Sequence, residues 1–310
     1  MVGIAVACAL ASAFFLAFGA QRQGSAVSAD TGGLALNSSG FTRLLRNPRW
    51  LFGLLLLGIG MGLNVAALSM APLTVVQPIG SLALVITTVV NSRDQGLRLN
   101  RITVAAIAAC VAGSMLFVSL AIAATRSGQP VDSAQEVTIV LILAVVVVFF
   151  GGLNLLFGKR LKAIAHILGA GILFGFVAVL TKVIIGDLLN PNGRFLWNVP
   201  WYTLLGIAVA GALGSWFVQN AYSSGPPDLV IAGLTVIDPM VGIAIGIGVL
   251  NELRPDVPAV TAVAMAVAGL IAIVGVVALS RYHPDVIQRR NEERRRQKLA
   301  SKTPKAGPLT

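Results

Sequence analysis

Charge is what this sequence has least of. Only 11% of its 310 residues are Asp, Glu, Lys or Arg, against about a quarter in a soluble globular domain. Hydrophobic residues make up 56%, and the mean hydropathy is +0.85. That leaves too little polar surface to cover a water-soluble globule of this length, so the fitting solvent is a bilayer. Cysteine is nearly absent. Cys8 and Cys110 both fall in apolar runs, where they read as small hydrophobes rather than as a disulfide framework. With His166 and His283 as the two histidines, a histidine-rich metal site is excluded and a soluble hydrolase is not expected. The glycine clusters, such as Gly58-Ile59-Gly60-Met61-Gly62, are not followed by Lys-Ser/Thr, so they are not phosphate loops. They read instead as places of close helix approach, as do Gly169, Gly171, Gly242 and Gly246. ATP-driven pumping by this chain alone, enzymatic catalysis and a resident cofactor are therefore not expected.

Acidic residues are scarcer than basic ones, 12 against 23, for a net charge of +11. A basic balance of this size fits nucleic acid in principle, but its distribution does not. Residues 281–310 hold nine Lys/Arg and three acids, directly after an apolar run. This is the pattern of a cytoplasmic juxtamembrane tail facing anionic lipid headgroups.

A helix needs about 20 apolar residues to cross the hydrocarbon core. Nine runs qualify: 2–20, 50–70, 72–90, 102–124, 137–158, 163–185, 201–222, 227–250 and 257–280. The first lacks the basic n-region of a signal peptide and reads as a retained span with its N-terminus outside. The segments on the inner side are then 21–49, 91–101, 159–162, 223–226 and the tail. They carry 19 Lys/Arg, against Arg126, Arg194 and Arg254 outside. This split predicts a multi-pass protein of the cell (inner) membrane with a cytoplasmic C-terminus. Segment 21–49, rich in Gly and Ser, reads as a flexible cytoplasmic loop ending in an amphipathic stretch over 41–50.

Two segments look alike. Residues 74–78 read Thr-Val-Val-Gln-Pro and residues 235–239 read Thr-Val-Ile-Asp-Pro. Each follows a proline-bearing turn, Ala71-Pro72 or Gly225-Pro226-Pro227, and each precedes a polar turn and a span with an Ala-Gly pair, Ala112-Gly113 or Ala268-Gly269. The third span and the eighth run in opposite directions, so the repeats are inverted. The pattern predicts an all-α polytopic protein. A first membrane repeat covers 1–124, a linker helix 125–162, a second repeat 163–280 and a basic tail 281–310. Inverted repeats with proline-interrupted helices near the midplane are the architecture of secondary transporters.

With these motifs the chain resembles the drug/metabolite transporter superfamily of EamA-like proteins. The stretch Ala71-Pro72-Leu73-Thr74-Val75-Val76-Gln77-Pro78-Ile79-Gly80-Ser81-Leu82 is similar to the NIPA-type magnesium transporter branch, whose members also have nine expected spans. Many superfamily members use ten helices, so the helix that follows the first span of each half in that plan is absent here. The resemblance implies transport by alternating access around a midplane site.

Asp238 is the sharpest candidate for that site. A carboxylate at the bilayer centre costs about 2.5–3.5 kcal/mol on insertion scales, so it faces the bundle interior or water. Pro239 beside it removes a backbone donor and frees a carbonyl one turn earlier. Asp238 can serve as a binding carboxylate or simply bond that freed group. Gln77 is its counterpart in the first repeat, able to orient a polar ligand. Lys182 is expected either to snorkel to the interface or to pair with Asp238. Asn64 and Gln219 occupy corresponding helices of the two repeats and line a cavity or bond between helices. Asp228 and Glu252 are expected in interfacial turns flanking the eighth span. The expected partners are the bilayer, anionic headgroups at the tail, a small-molecule or ion substrate and, as an option, a second copy of the chain, with no nucleic acid. Two substrate classes compete. A small metabolite fits the superfamily and comes first, because one mid-span carboxylate plus Gln77 is a thin oxygen supply for magnesium. The alternative is a divalent cation such as magnesium, which fits the NIPA-like stretch. A non-transporting partner in envelope assembly is the third alternative.

Overall fold

The computed structural model describes residues 2–31, 38–70, 79, 82–94, 96, 99–126, 131–157, 161–189, 199–284, 286–288 and 291. Among the described residues ten helices follow in order: α1 Val2–Thr31, α2 Ser38–Leu44, α3 Pro48–Met70, α4 Leu82–Asp94, α5 Arg101–Ala124, α6 Ser133–Phe157, α7 Ala163–Leu189, α8 Trp201–Ser224, α9 Pro227–Gly248 and α10 Ala259–Tyr282. Among the described residues, eight helices are long and apolar enough to span a bilayer. The third expected span, 72–90, is described only at Ile79 and from Leu82 onward. The fold is an all-α polytopic membrane protein.

Helix ends follow local chemistry. Asn100 caps α5, its side chain accepting from the Thr103 N–H at 2.6 Å, which satisfies one of the orphan donors of the first turn. Pro227 opens α9, a position where its missing N–H costs nothing. After α9 the chain turns through Asn251 at φ 54°, the left-handed region that Asn tolerates better than most residues.

The expected loop at 21–49 is partly wrong. α1 continues through Thr31, because its polar second half is buried against partners. Gln23, Ala26 and Val27 are buried. Ser28 Oγ donates to the Tyr222 carbonyl at 3.0 Å. A Cβ on Gly24 would lie 2.6 Å from Pro227 Cγ, so the glycine admits the start of α9 rather than loosening the chain. The 41–50 stretch divides between α2 and the first turn of α3.

α1 packs on α3 and α4, and α7 packs on α8 and α9 in the same way. α5 lies against α10, α4 against α9, and α6 rests on α7 and α8. The α5–α10 crossing is reciprocal. A Cβ on Gly113 would meet Ala272 N at 2.7 Å and Ala268 O at 2.9 Å, and one on Gly275 would meet Cys110 N and Ala106 O, both at 2.8 Å. The three correspondences, Ala106 with Ala268, Cys110 with Ala272 and Gly113 with Gly275, share one offset of 162 positions. This is the self-complementary contact that a two-fold axis generates. The glycine expectations hold in part. Gly60 admits Leu16 of α1, Gly169 admits Phe217, Gly171 admits Ile237 and Gly246 admits Glu252, whereas a Cβ at Gly58 or Gly62 meets nothing within 4 Å. α6 is the least buried span. Val148 and Leu155 are 74% and 87% exposed, as a lipid-facing helix requires.

Candidate substrate site

The mid-span carboxylate sits on a helix that is continuous. α9 runs unbroken from Pro227 to Gly248 with Pro239 inside it. A proline deprives the carbonyl four residues earlier of its helical donor, here Thr235. Ser114 of α5 supplies the replacement, its Oγ donating to the Thr235 carbonyl at 3.0 Å. Ser114 is buried, and the bond is part-buried between the two helices. This decides between two uses of Asp238. The freed carbonyl is already satisfied by a neighbouring helix and has no need of the carboxyl group.

α7 approaches the backbone of α9 at this level. A Cβ on Gly171 would lie 2.7 Å from Ile237 Cβ, and one on Gly175 would lie 2.7 Å from Val241 Cβ and 3.0 Å from the Asp238 carbonyl. On another side, Met240 Cε sits 3.0 Å from where a Gly269 Cβ would be. Asp238 is half-buried among these helices, and no hydrogen bond or ion pair joins its carboxylate to another described residue.

The other expected site residues are not gathered around it. Gln77 lies outside the described residues. Asn64 is half-buried on α3, without a hydrogen bond to another described residue. Gln219 is committed elsewhere. Its Oε1 accepts from Trp50 Nε1 at 2.9 Å, and its Nε2 donates to Gln23 Oε1 at 3.3 Å. With both ends of the amide used, it joins α1, α3 and α8. Lys182 does not pair with Asp238. Its Nζ lies 2.7 Å from Glu252 Oε1, beyond the C-terminal end of α9. The lysine stem reaches toward the helix end and finds an acid there.

Asp228 was expected at an interfacial turn, and it is fully buried. Its Oδ2 lies 2.9 Å from His283 Nε2, within ion-pair distance but without the angles of a hydrogen bond. Its Oδ1 accepts from Asn91 Nδ2 at 3.2 Å. One turn on along α4, Asp94 accepts from Gln21 of α1 at 3.1 Å. The sequence offered one signal for this set, an acid in the first turn of a helix that opens with proline. The partners come from chain positions 137 residues before and in the junction to the tail, which no local pattern connects. Glu136 likewise carries no mark in the sequence. It is buried on α6 and accepts from Thr203 Oγ1 of α8.

Among the described residues no group of three or more His, Cys, Asp or Glu side chains could hold a metal ion as a closed cage. What remains at mid-span is one carboxylate with both oxygens uncommitted to a described partner. That group can hold a cation that keeps part of its water shell, or a proton.

Comparison with known proteins bears on what crosses. The family described as "Magnesium transporter NIPA" matches residues 1–189, which run from the start of the chain through α7. An uncharacterized protein of Corynebacterium glutamicum is 31% identical over 284 residues, covering 90% of this chain and 95% of the relative. No solved structure matches. The match spans well over half of the chain and agrees with the resemblance of the 71–82 stretch, so this protein belongs to the NIPA magnesium transporter family, within the DMT/EamA-like clan.

Proposed function

We propose that this membrane transporter carries a divalent cation of the magnesium class, by alternating access between two inverted four-helix repeats. The repeats are α1, α3, α4 and α5, then α7, α8, α9 and α10, with α6 as the linker that lets the second run inverted. The observation that carries the reading is the family match over residues 1–189. The reciprocal α5–α10 crossing and the parallel packing of α1 on α3 and α7 on α8 support the inverted arrangement. The 19-to-3 split of basic residues supports a cytoplasmic tail in the cell (inner) membrane.

Asp238 is the proposed ligand. Magnesium dehydrates reluctantly and is commonly held through one or two carboxylates while it keeps several waters. A single mid-span carboxylate therefore suits a weakly held ion in transit better than it suits a stored one. A small organic metabolite is the second reading, favoured by the lack of a three-ligand acid, His or Cys group among the described residues.

The test is magnesium uptake into proteoliposomes holding an internal magnesium indicator. The cation reading expects a saturable signal above protein-free vesicles, competed by other divalent ions and untouched by amino acids, sugars and amines. No uptake with any divalent cation, or uptake competed mainly by organic solutes, would overturn it.

A further inference from the structure

We propose that the Asp228–His283–Asn91 cluster is a gate, a buried polar latch that closes the transporter at the N-terminal end of α9 and must part for that end to open. The proposal rests on the alternating-access reading above.

Three helices converge on the latch. Asn91 comes from α4, Asp228 from the first turn of α9, and His283 caps the C-terminus of α10, its N–H donating to the Leu279 carbonyl at 3.1 Å. The three side chains are 0%, 0% and 1% exposed. Asn91 belongs to the first half of the chain and the other two to the second, so the Asn91–Asp228 bond ties one half to the other, and His283 holds the same carboxylate from within the second half.

The contacts around it repeat this pattern. Ser28 of α1 bonds the Tyr222 carbonyl of α8, and Trp50 and Gln23 of the first half hold Gln219 of the second. Asn100 Nδ2 and Thr103 Oγ1 both donate to the Tyr282 carbonyl, at 3.0 and 3.3 Å. The opposite end is joined differently. There Lys182 pairs with Glu252 at 55% side-chain exposure for the lysine, and Arg254 Nε donates to the Thr125 carbonyl at 3.1 Å in an exposed contact. Among the described residues the side-chain ties between the halves are buried or part-buried at the latch end, save Asn100 to Tyr282. At the other end Arg254 to Thr125 is exposed, and the buried Glu136–Thr203 bond there joins only α6 to α8. Of all these ties the latch alone joins a buried carboxylate to a titratable base.

Chemistry says why such a set suits a gate. A carboxylate and an imidazole out of water are tolerated only while paired, and removing one partner leaves the other buried and uncompensated. The cheapest relief for the survivor is to hydrate, which means opening that end. A closed latch and a hydrated one are thus two discrete arrangements, and a modest bias moves the population between them.

The test reads access directly and needs no transport. Thr88 lies one turn deeper on α4 than Asn91, on the same face, and is 2% exposed. In a Cys8→Ala, Cys110→Ala background, Thr88→Cys is treated with a hydrophilic maleimide in purified, detergent-solubilised protein. Slow labelling is expected with the latch intact. Asp228→Asn, and separately His283→Gln, should raise the rate about tenfold, the change expected when a minor open state becomes a common one. Fast labelling with the latch intact, or equal rates with and without it, overturns the gate. So does failure of both variants to give monodisperse protein, because a set needed for assembly itself is not a moving part. If labelling rises as expected while no solute is transported, the gate stands and the cation reading falls.

Discussion

Deleting the hydroxyl of Ser114 tests how α9 tolerates a proline beside its mid-span carboxylate. Ser114→Ala leaves the Thr235 carbonyl, freed by Pro239 and part-buried between α5 and α9, without its 3.0 Å donor. A buried acceptor left unsatisfied costs about 1–3 kcal/mol. Hydrogen bonds between membrane helices measure lower, about 0.6 kcal/mol on average and up to about 1.7. The Oγ also has no second partner to release, so a loss of about 1 kcal/mol is expected. The decisive comparison is the same change in a Pro239→Ala background. There the restored N–H at position 239 donates to Thr235, and the serine becomes redundant. The cost of Ser114→Ala should then fall to about 0.3 kcal/mol or less, giving an interaction energy of about 1 kcal/mol in a double-mutant cycle. Reversible unfolding in mixed micelles, with detergent titrated as the denaturant, measures all four proteins. Equal losses in both backgrounds would show that Ser114 does not answer for the proline.

The reciprocal crossing of α5 and α10 predicts matched effects at its two glycines. Gly113→Val and Gly275→Val should each cost about 1–3 kcal/mol or more, from atoms forced against backbone, while Gly58→Val, which faces open space, should stay within about 0.5 kcal/mol; unfolding of the three variants in micelles checks the ranking, and a costly Gly58→Val would contradict it. Lys182→Met removes a pair whose lysine is 55% exposed, so its cost should stay below about 1 kcal/mol, and a larger loss in the same unfolding assay would show the pair to be shielded from water. For orientation, Ser133→Cys at the start of α6 should react with an impermeant reagent in intact cells, and a reporter fused after Thr310 should read cytoplasm. Labelling at Ser133 only after permeabilisation would invert the topology.

The fold class was legible because a bilayer imposes a coarse and strict constraint. Spans must be long and apolar, and the helices α3, α5, α8 and α10 fall within a few residues of the runs read from sequence. The end of α1 was not legible. Residues 21–31 contain Gln, Gly, Ser and Asp, which read as a loop when no partners are known. Burial of Gln23 against Gln219, and of Gly24 against Pro227, makes the same residues helical. Asp238 stood out because an acid in mid-span has no bland environment. Its neighbour Ser114 did not, since one serine among many in apolar helices carries no mark until α5 is seen crossing α9. Of the two readings of Lys182, the structure follows snorkelling rather than pairing with Asp238, for a geometric reason. Opposite charges inside a membrane do seek each other, but a long lysine stem lets the ammonium reach the helix end, where Glu252 is nearer water and cheaper to pair. Asp228 and His283 were hidden most completely. Each lies at a helix terminus, where sequence alone suggests an interface, and tertiary packing of α4, α9 and α10 buries them.

The central claim is that a mid-span carboxylate binds the cation that crosses. Its most direct test compares wild-type protein with Asp238→Asn in proteoliposomes at matched protein content, with magnesium uptake measured over a range of external concentrations. The substitution keeps the shape and removes the charge. Because Ser114, not Asp238, satisfies the carbonyl freed by Pro239, the variant should assemble normally. The account predicts an intact, monodisperse protein whose saturable uptake is lost or whose half-saturation rises at least about tenfold, the equivalent of about 1.4 kcal/mol of lost binding. Uptake with the same rate and the same half-saturation as wild type would contradict it.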